Sequence, residues 1–100
     1  MSFSVLQKVL TSANSEKLSA TSYPCARAII QAKRTNAGAV EIAPGTVTTG
    51  KAYELPKPTA GAKLPELELV PQFGTSGVDL KDWEMLGTQN DGVNIIAEIY

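Results

Sequence analysis

Histidine is absent from the 100 residues, and cysteine occurs once. The first absence removes the commonest general base and the commonest nitrogen ligand for zinc, so neither a Ser-His pair nor a Cys/His metal set can be assembled. A lone Cys25 excludes an internal disulfide, and with no imidazole to activate it the thiol reads as buried filler. Aromatic residues make up only 6%, so a core must be built from Val, Ile, Leu and Ala, which together with the other apolar types reach 43%. No stretch of about 18 apolar residues is present to span a bilayer. Residues 1–10 lack the basic leader and unbroken apolar run of a secretory signal, so a soluble protein made in the cytoplasm, with no membrane partner, is expected. Charge of one sign is lacking too: 9 basic and 10 acidic residues leave a net charge of -1. That scattered balance gives no electrostatic footprint for nucleic acid or anionic lipid, and Lys33-Arg34 reads as a solvated turn.

The length fits a single domain over residues 1–100, because two separate cores would each be too small to offset chain entropy. A thin core of this size gains from further burial against a partner. Along the chain, 3–10 places Phe3, Val5 and Val9 on one face and Leu6 and Leu10 on the other, as in a strand covered on both sides. Val5, Leu6, Val9 and Leu10 satisfy helical spacing as well, so a helix is the rival there. Segments 26–32 and 39–43 flank Thr35-Asn36-Ala37-Gly38, where Asn36 and Gly38 can take positive φ, and a hairpin over 26–43 is expected. Pro24 is placed to end the loop before the first of these strands.

From Pro44 onward, frequent Pro and Gly exclude helices of any length, and short strands fit between the breaks at 46–48, 51–55, 67–70 and 78–80. Residues 56–65 read as a semi-rigid, proline-rich extended loop outside the sheet interior. A second hairpin is expected over 83–100, with Gly87 to Gly92 as its turn and Val93, Ile95, Ala97 and Ile99 on one face of its last strand. Ile96 and Tyr100 share the other face with Asn94 and Glu98, so that side need not be fully wet. Strands at short regular spacing predict an all-β fold, a small antiparallel β-sandwich or jelly-roll-like barrel of about six to eight short strands.

The acidic residues offer little chemistry. Glu66 and Glu68 share one face of a strand and imitate a carboxylate pair, but solvated positions opposite Leu67 and Leu69 explain them better. Asp79, Asp82 and Glu84 around Lys81 match no calcium loop with a Gly pivot and terminal Glu, and read as a charged turn. Neither GxGxxG nor GxxxxGK[ST] occurs. No catalytic, metal or cofactor-binding residues are assigned, and the chain is read as non-enzymatic. Surface contact remains. Phe3, Tyr53, Pro56, Pro58, Phe73 and Trp83 are the candidate partner contacts, with the interior favoured for Trp83.

The run Leu18-Ser19-Ala20-Thr21-Ser22-Tyr23-Pro24-Cys25, followed by Ile29-Ile30-Gln31-Ala32 and Asn36-Ala37-Gly38-Ala39-Val40-Glu41-Ile42, resembles small β-sandwich structural proteins of tailed bacteriophages. The resemblance continues through Gly50-Lys51-Ala52-Tyr53-Glu54-Leu55-Pro56, Val78-Asp79-Leu80-Lys81-Asp82-Trp83 and the strand after Asp91-Gly92. In that family a short strand joins the Leu-Pro turn to the Asp-Leu segment, whereas here the stretch from Pro56 to Gly77 is longer and proline-rich. The resemblance implies a virion component, above all a capsid decoration (cement) protein on the outside of the head lattice. Its partners would be the major capsid protein or other virion subunits, and further copies of itself. The alternatives are a tail, connector or fibre-associated virion protein, or a carbohydrate- or receptor-binding sandwich module.

Overall fold

Alternation of apolar and polar side chains decides where the longer strands lie, and their register decides the fold. The computed structural model describes residues 2–71 and 75–99. Within them run β1 (Ser2–Val9), β2 (Glu16–Lys17), β3 (Pro24–Cys25), β4 (Arg27–Ala32), β5 (Val40–Pro44), β6 (Tyr53–Leu55), β7 (Glu66–Leu69), β8 (Val78–Asp79), β9 (Trp83–Leu86) and β10 (Gly92–Ile99). A 3₁₀ turn, Leu80–Asp82, separates β8 from β9 and is capped by the Asp79 carboxylate, which accepts from the Lys81 amide. The all-β expectation holds.

The pairing is nested: β1 with β10, β2 with β9, β3 with β8, β4 with β7 and β5 with β6, all antiparallel. The chain is therefore one long two-stranded ribbon with β5 and β6 at its tip. The ribbon then rolls on itself, so that β10 also pairs with β4 and β9 with β5. The result is two four-stranded sheets, ordered β1-β10-β4-β7 and β2-β9-β5-β6, with the small β3-β8 pair beside them. This is a jelly roll, in which two sheets close over a shared core.

Both sheets supply that core. Ala28, Ile30, Ala32, Leu69, Val93, Ile95 and Ala97 point inward from the first, and Val40, Ile42, Leu55, Trp83 and Met85 from the second. Val93, Ile95 and Ala97 occupy the face that alternation assigns them. Cys25 is fully buried among these side chains, as a small apolar filler would be.

The two expected hairpins are not hairpins. β4 and β5 lie in different sheets, and so do β9 and β10. Alternation shows that each strand buries one face, but opposite walls of one core satisfy that pattern as well as neighbours in one sheet. What replaces the hairpin bonds is a cross-tie between the two bends. The buried Asn36 amide accepts from the Gly92 N–H at 2.8 Å and donates to the Gly92 carbonyl at 2.9 Å. The Asp91 carboxylate accepts from the amides of Ala37 and Gly38 at 2.8 and 3.0 Å. Positive φ falls on Asn90 rather than Asn36. A Cβ at Gly92 would run into the Lys8 carbonyl, so only glycine lets β1 and β10 close at this end.

Two smaller expectations also change. Residues 46–48 form no strand; the second sheet ends its central strand at Pro44. The proline-rich segment 56–65 is the bend that carries the ribbon from β6 to β7. It is tied to β4 by the Ala32 amide donating to the Pro65 carbonyl at 3.0 Å, and to the turn after β4 by Arg34 donating to the Ala62 carbonyl.

Removing the Asn36 amide leaves the buried Gly92 N–H without its acceptor. Asn36→Ala is expected to lower stability by about 1–3 kcal/mol, while Thr35→Ala at the exposed neighbour stays within about 0.5 kcal/mol. Urea unfolding monitored by Trp83 fluorescence measures both.

Candidate interaction surface

The outward face of the first sheet carries an apolar row that its strand registers assemble. Val5 on β1 stands opposite Ile96 on β10, and Ile96 stands opposite Ile29 on β4. Val5 is 75% exposed and Ile96 39% exposed, with Ile29 half-buried. Phe3, 64% exposed, lies two residues along β1 on the same face. An uncharged polar row, Gln7, Asn94 and Gln31, borders this patch on one side, with Gln7 donating to Asn94 at 3.0 Å.

On the other side Glu98 stands between Phe3 and Arg27. Arg27 bridges two carboxylates, Glu98 at 3.1 Å and Glu68 at 3.3 Å. Charge on this face therefore runs from Glu98 on β10 through Arg27 on β4 to Glu68 on β7, with none contributed by β1. Next to Phe3, a depression of about 350 Å³ is lined by Ser2, Phe3, Ser4, Ser22, Tyr23, Pro24 and Ile99. The Tyr23 hydroxyl and Ser4 hydroxyl are hydrogen-bonded at 2.9 Å and brace its wall.

Of the residues singled out in the sequence, only Phe3 belongs to this patch. Tyr53 is exposed on β6 at the edge of the other sheet, and Pro56 and Pro58 lie in the bend between β6 and β7. Trp83 takes the interior place favoured for it rather than that of a contact: at 8% exposure it packs in the core on β9, opposite Pro44. Phe73 falls outside the described residues. Val5, Ile29 and Ile96 were missed as contacts. Their signal was the adjacent apolar pairs Val5-Leu6, Ile29-Ile30 and Ile95-Ile96, where one side chain of each pair must face away from the core.

The titratable groups near this surface are structural in their surroundings. Burial pushes the Cys25 thiol upward, with the Asp79 charge adding to the shift, and its Sγ lies 3.4 Å from the Val78 carbonyl. Asp79 is held low by the Ser22 hydroxyl and by the amides of Tyr23 and Lys81. Among the described residues, no three His, Cys, Asp or Glu side chains converge as a metal site. Glu41 and Glu54 do face each other across β5 and β6, at a depression of about 600 Å³ on the outside of the second sheet, where Glu41 accepts from the Gly50 amide at 2.8 Å.

Glu16 is the most heavily engaged carboxylate. It receives the Lys8 ammonium at 2.9 Å, the Ser12 hydroxyl at 2.8 Å, the Thr11 hydroxyl at 3.0 Å and the Thr11 amide. Lys8 chiefly, joined by these hydrogen bonds, holds it down at about 2. Because Lys8 sits on β1 and Glu16 on β2, the pair staples the two sheets at the first bend.

Comparison with known protein families, with characterised proteins and with solved structures gave no match, and so no link to virion proteins.

A carboxylate whose pKa is lowered on folding stabilises the fold above its unfolded pKa, and the contribution is lost as pH falls through the folded one. For Glu16 that window runs from about pH 4.5 down to about 2. Wild type is expected to melt higher than Glu16→Gln at pH 6, with the difference shrinking through this window in thermal scans followed by circular dichroism.

Proposed function

We propose that this chain is a non-enzymatic structural subunit of a tailed-bacteriophage virion, a decoration protein that binds the outside of the head lattice. The observation that carries the reading is the outward apolar row, Val5, Ile96 and Ile29 with Phe3 beside it, on a rigid four-stranded sheet. Such a patch costs free energy in water unless another surface covers it. A face whose strands are already paired in a ladder, β1 with β10 and β10 with β4, binds with little loss of conformational freedom, which suits a subunit that must fit a repeating lattice. The motif resemblance supplies the lattice. Jelly rolls also serve viral capsid and lectin domains, which is support by analogy of fold alone.

The sugar-binding alternative fares worse. A sugar platform needs exposed aromatic rings side by side, whereas Phe3 and Tyr53 stand on different sheets, Trp83 is in the core, and Tyr23, beside Phe3 in the same depression, is half-buried with its hydroxyl bonded to Ser4. For a tail or connector part, the same patch would serve equally well, and copy number separates the two.

Mass spectrometry of purified particles is expected to find the chain at a copy number that follows the head lattice. A small ring number would point to the tail or connector, and absence from the particles would overturn the reading. Ile96→Glu should abolish rebinding to stripped heads while leaving the circular dichroism spectrum unchanged.

A further inference from the structure

Rolling a ribbon leaves one strand of each segment at an edge, and among the described residues four such edges flank the two large sheets: β1, β7, β2 and β6. An edge strand is a template for another strand unless it is short, charged or interrupted. Three of the four are blunted in these ways. β2 has two residues. β6 has three, with Pro56 and Pro58 directly after it. β7 has four, lies between Pro65 and Pro71, and exposes Glu66, which would repel the same edge of another copy, beside Glu68, which Arg27 pairs.

β1 is different in every respect. It runs for eight residues, Ser-Phe-Ser-Val-Leu-Gln-Lys-Val, without proline or glycine. An edge lysine normally guards against pairing, but the one charge here, Lys8, is neutralised by Glu16 at 2.9 Å. The face of β1 that looks outward is apolar where it is most exposed, at Phe3 and Val5.

We propose that β1 pairs antiparallel with β1 of a second copy, about a twofold axis passing through Val5. Register follows from three constraints. Residues directly opposite in an antiparallel pair must share a face, which excludes shifts of one residue. A twofold axis at Ser4 shortens the ladder to 2–6, and one at Leu6 sets Val5 against the amide of the partner's Gln7. With the axis at Val5, the ladder spans 2–8, and Phe3 faces the partner's Gln7. Lys8 faces the partner's Ser2, so no cation meets its own copy.

The apolar rows then join end to end. Ile29, Ile96 and Val5 of one copy run directly into Val5, Ile96 and Ile29 of the other, because all three already lie in one cross-strand line that stops at the free edge. Two four-stranded sheets become one sheet of eight strands, and the longest exposed edge disappears. This pairing needs no virion, so its failure and the failure of the decoration reading are separately visible.

Sedimentation velocity of the purified chain from about 1 µM to about 1 mM brackets the affinity of a modest interface. A monomer–dimer equilibrium is expected in that range for wild type. Val5→Lys places two ammonium groups at the axis and should weaken dimerisation at least tenfold, with an unchanged circular dichroism spectrum because the side chain is exposed. Val5→Cys should form an intermolecular disulfide on mild oxidation, since directly opposite Cβ atoms approach disulfide distance. Thr48→Cys, exposed in a loop away from β1, should not, and buried Cys25 contributes nothing to either. A wild type that stays monomeric at every concentration, or a Val5→Lys variant that dimerises as wild type does, overturns the proposal.

Discussion

The stitching of the bends at Gly92 is the interaction on which the rest of the molecule depends. A nested ribbon contains almost no local pairing; among the described residues only β5 and β6 are both consecutive and paired. Everything else is fixed by where the ribbon turns from one sheet to the other. The turn after β1, the turn before β10 and the turn after β4 lie side by side. Leu10 exchanges backbone hydrogen bonds with Asn90 and Asp91, Lys33 donates to the Gly92 carbonyl, and Asn36 closes both polar groups of Gly92. Gly92 opens β10, and β10 is the strand that holds both β1 and β4. Losing its anchor loosens two ladders at once, which is why a single amide side chain matters more here than its one or two hydrogen bonds suggest.

Most strands were legible in the sequence, and their arrangement was not. β9 lies where 83–86 was expected, and β4, β5, β7 and β10 shift by only a residue or two, because alternation of apolar side chains is a local signal. Which strands share a sheet is not local. Asn36 looks like an ordinary turn residue, and its partner is 56 residues away. β2 and β3, of two residues each, have no period of their own and exist only because β9 and β8 lie beside them.

The candidate surface was half legible for a related reason. Aromatic type alone points to Phe3 and to Trp83 alike, and the ring-poor core takes Trp83 for itself, the place favoured for it. The better signal was placement rather than type. Residues 3–10 are apolar on both faces, Phe3 and Val5 on one and Leu6 and Leu10 on the other, and so were expected to be covered on both; the fold covers only the face of Leu6 and Leu10. Nothing in the separate segments says that Val5, Ile96 and Ile29 align, since they come from three strands spread over the chain. Register alone makes them a patch.

The same topology explains why the open edge is β1. In the rolled ribbon, β10, β4, β9 and β5 are interior, and each leaves its ribbon partner at an edge. The longest strands belong to the ends of the ribbon, β1 and β10, and the shorter ones to its tip and to the segments interrupted by bends. So the edge with the most unpaired backbone is also the one built from the chain's first residues, held on one side by β10 and underneath by the Lys8–Glu16 pair. Closing the ladder of β1 on β10 joins segments some 90 residues apart, which places it among the costliest contacts in loop entropy. A strand in that position gains more than any other from a neighbour on its free side.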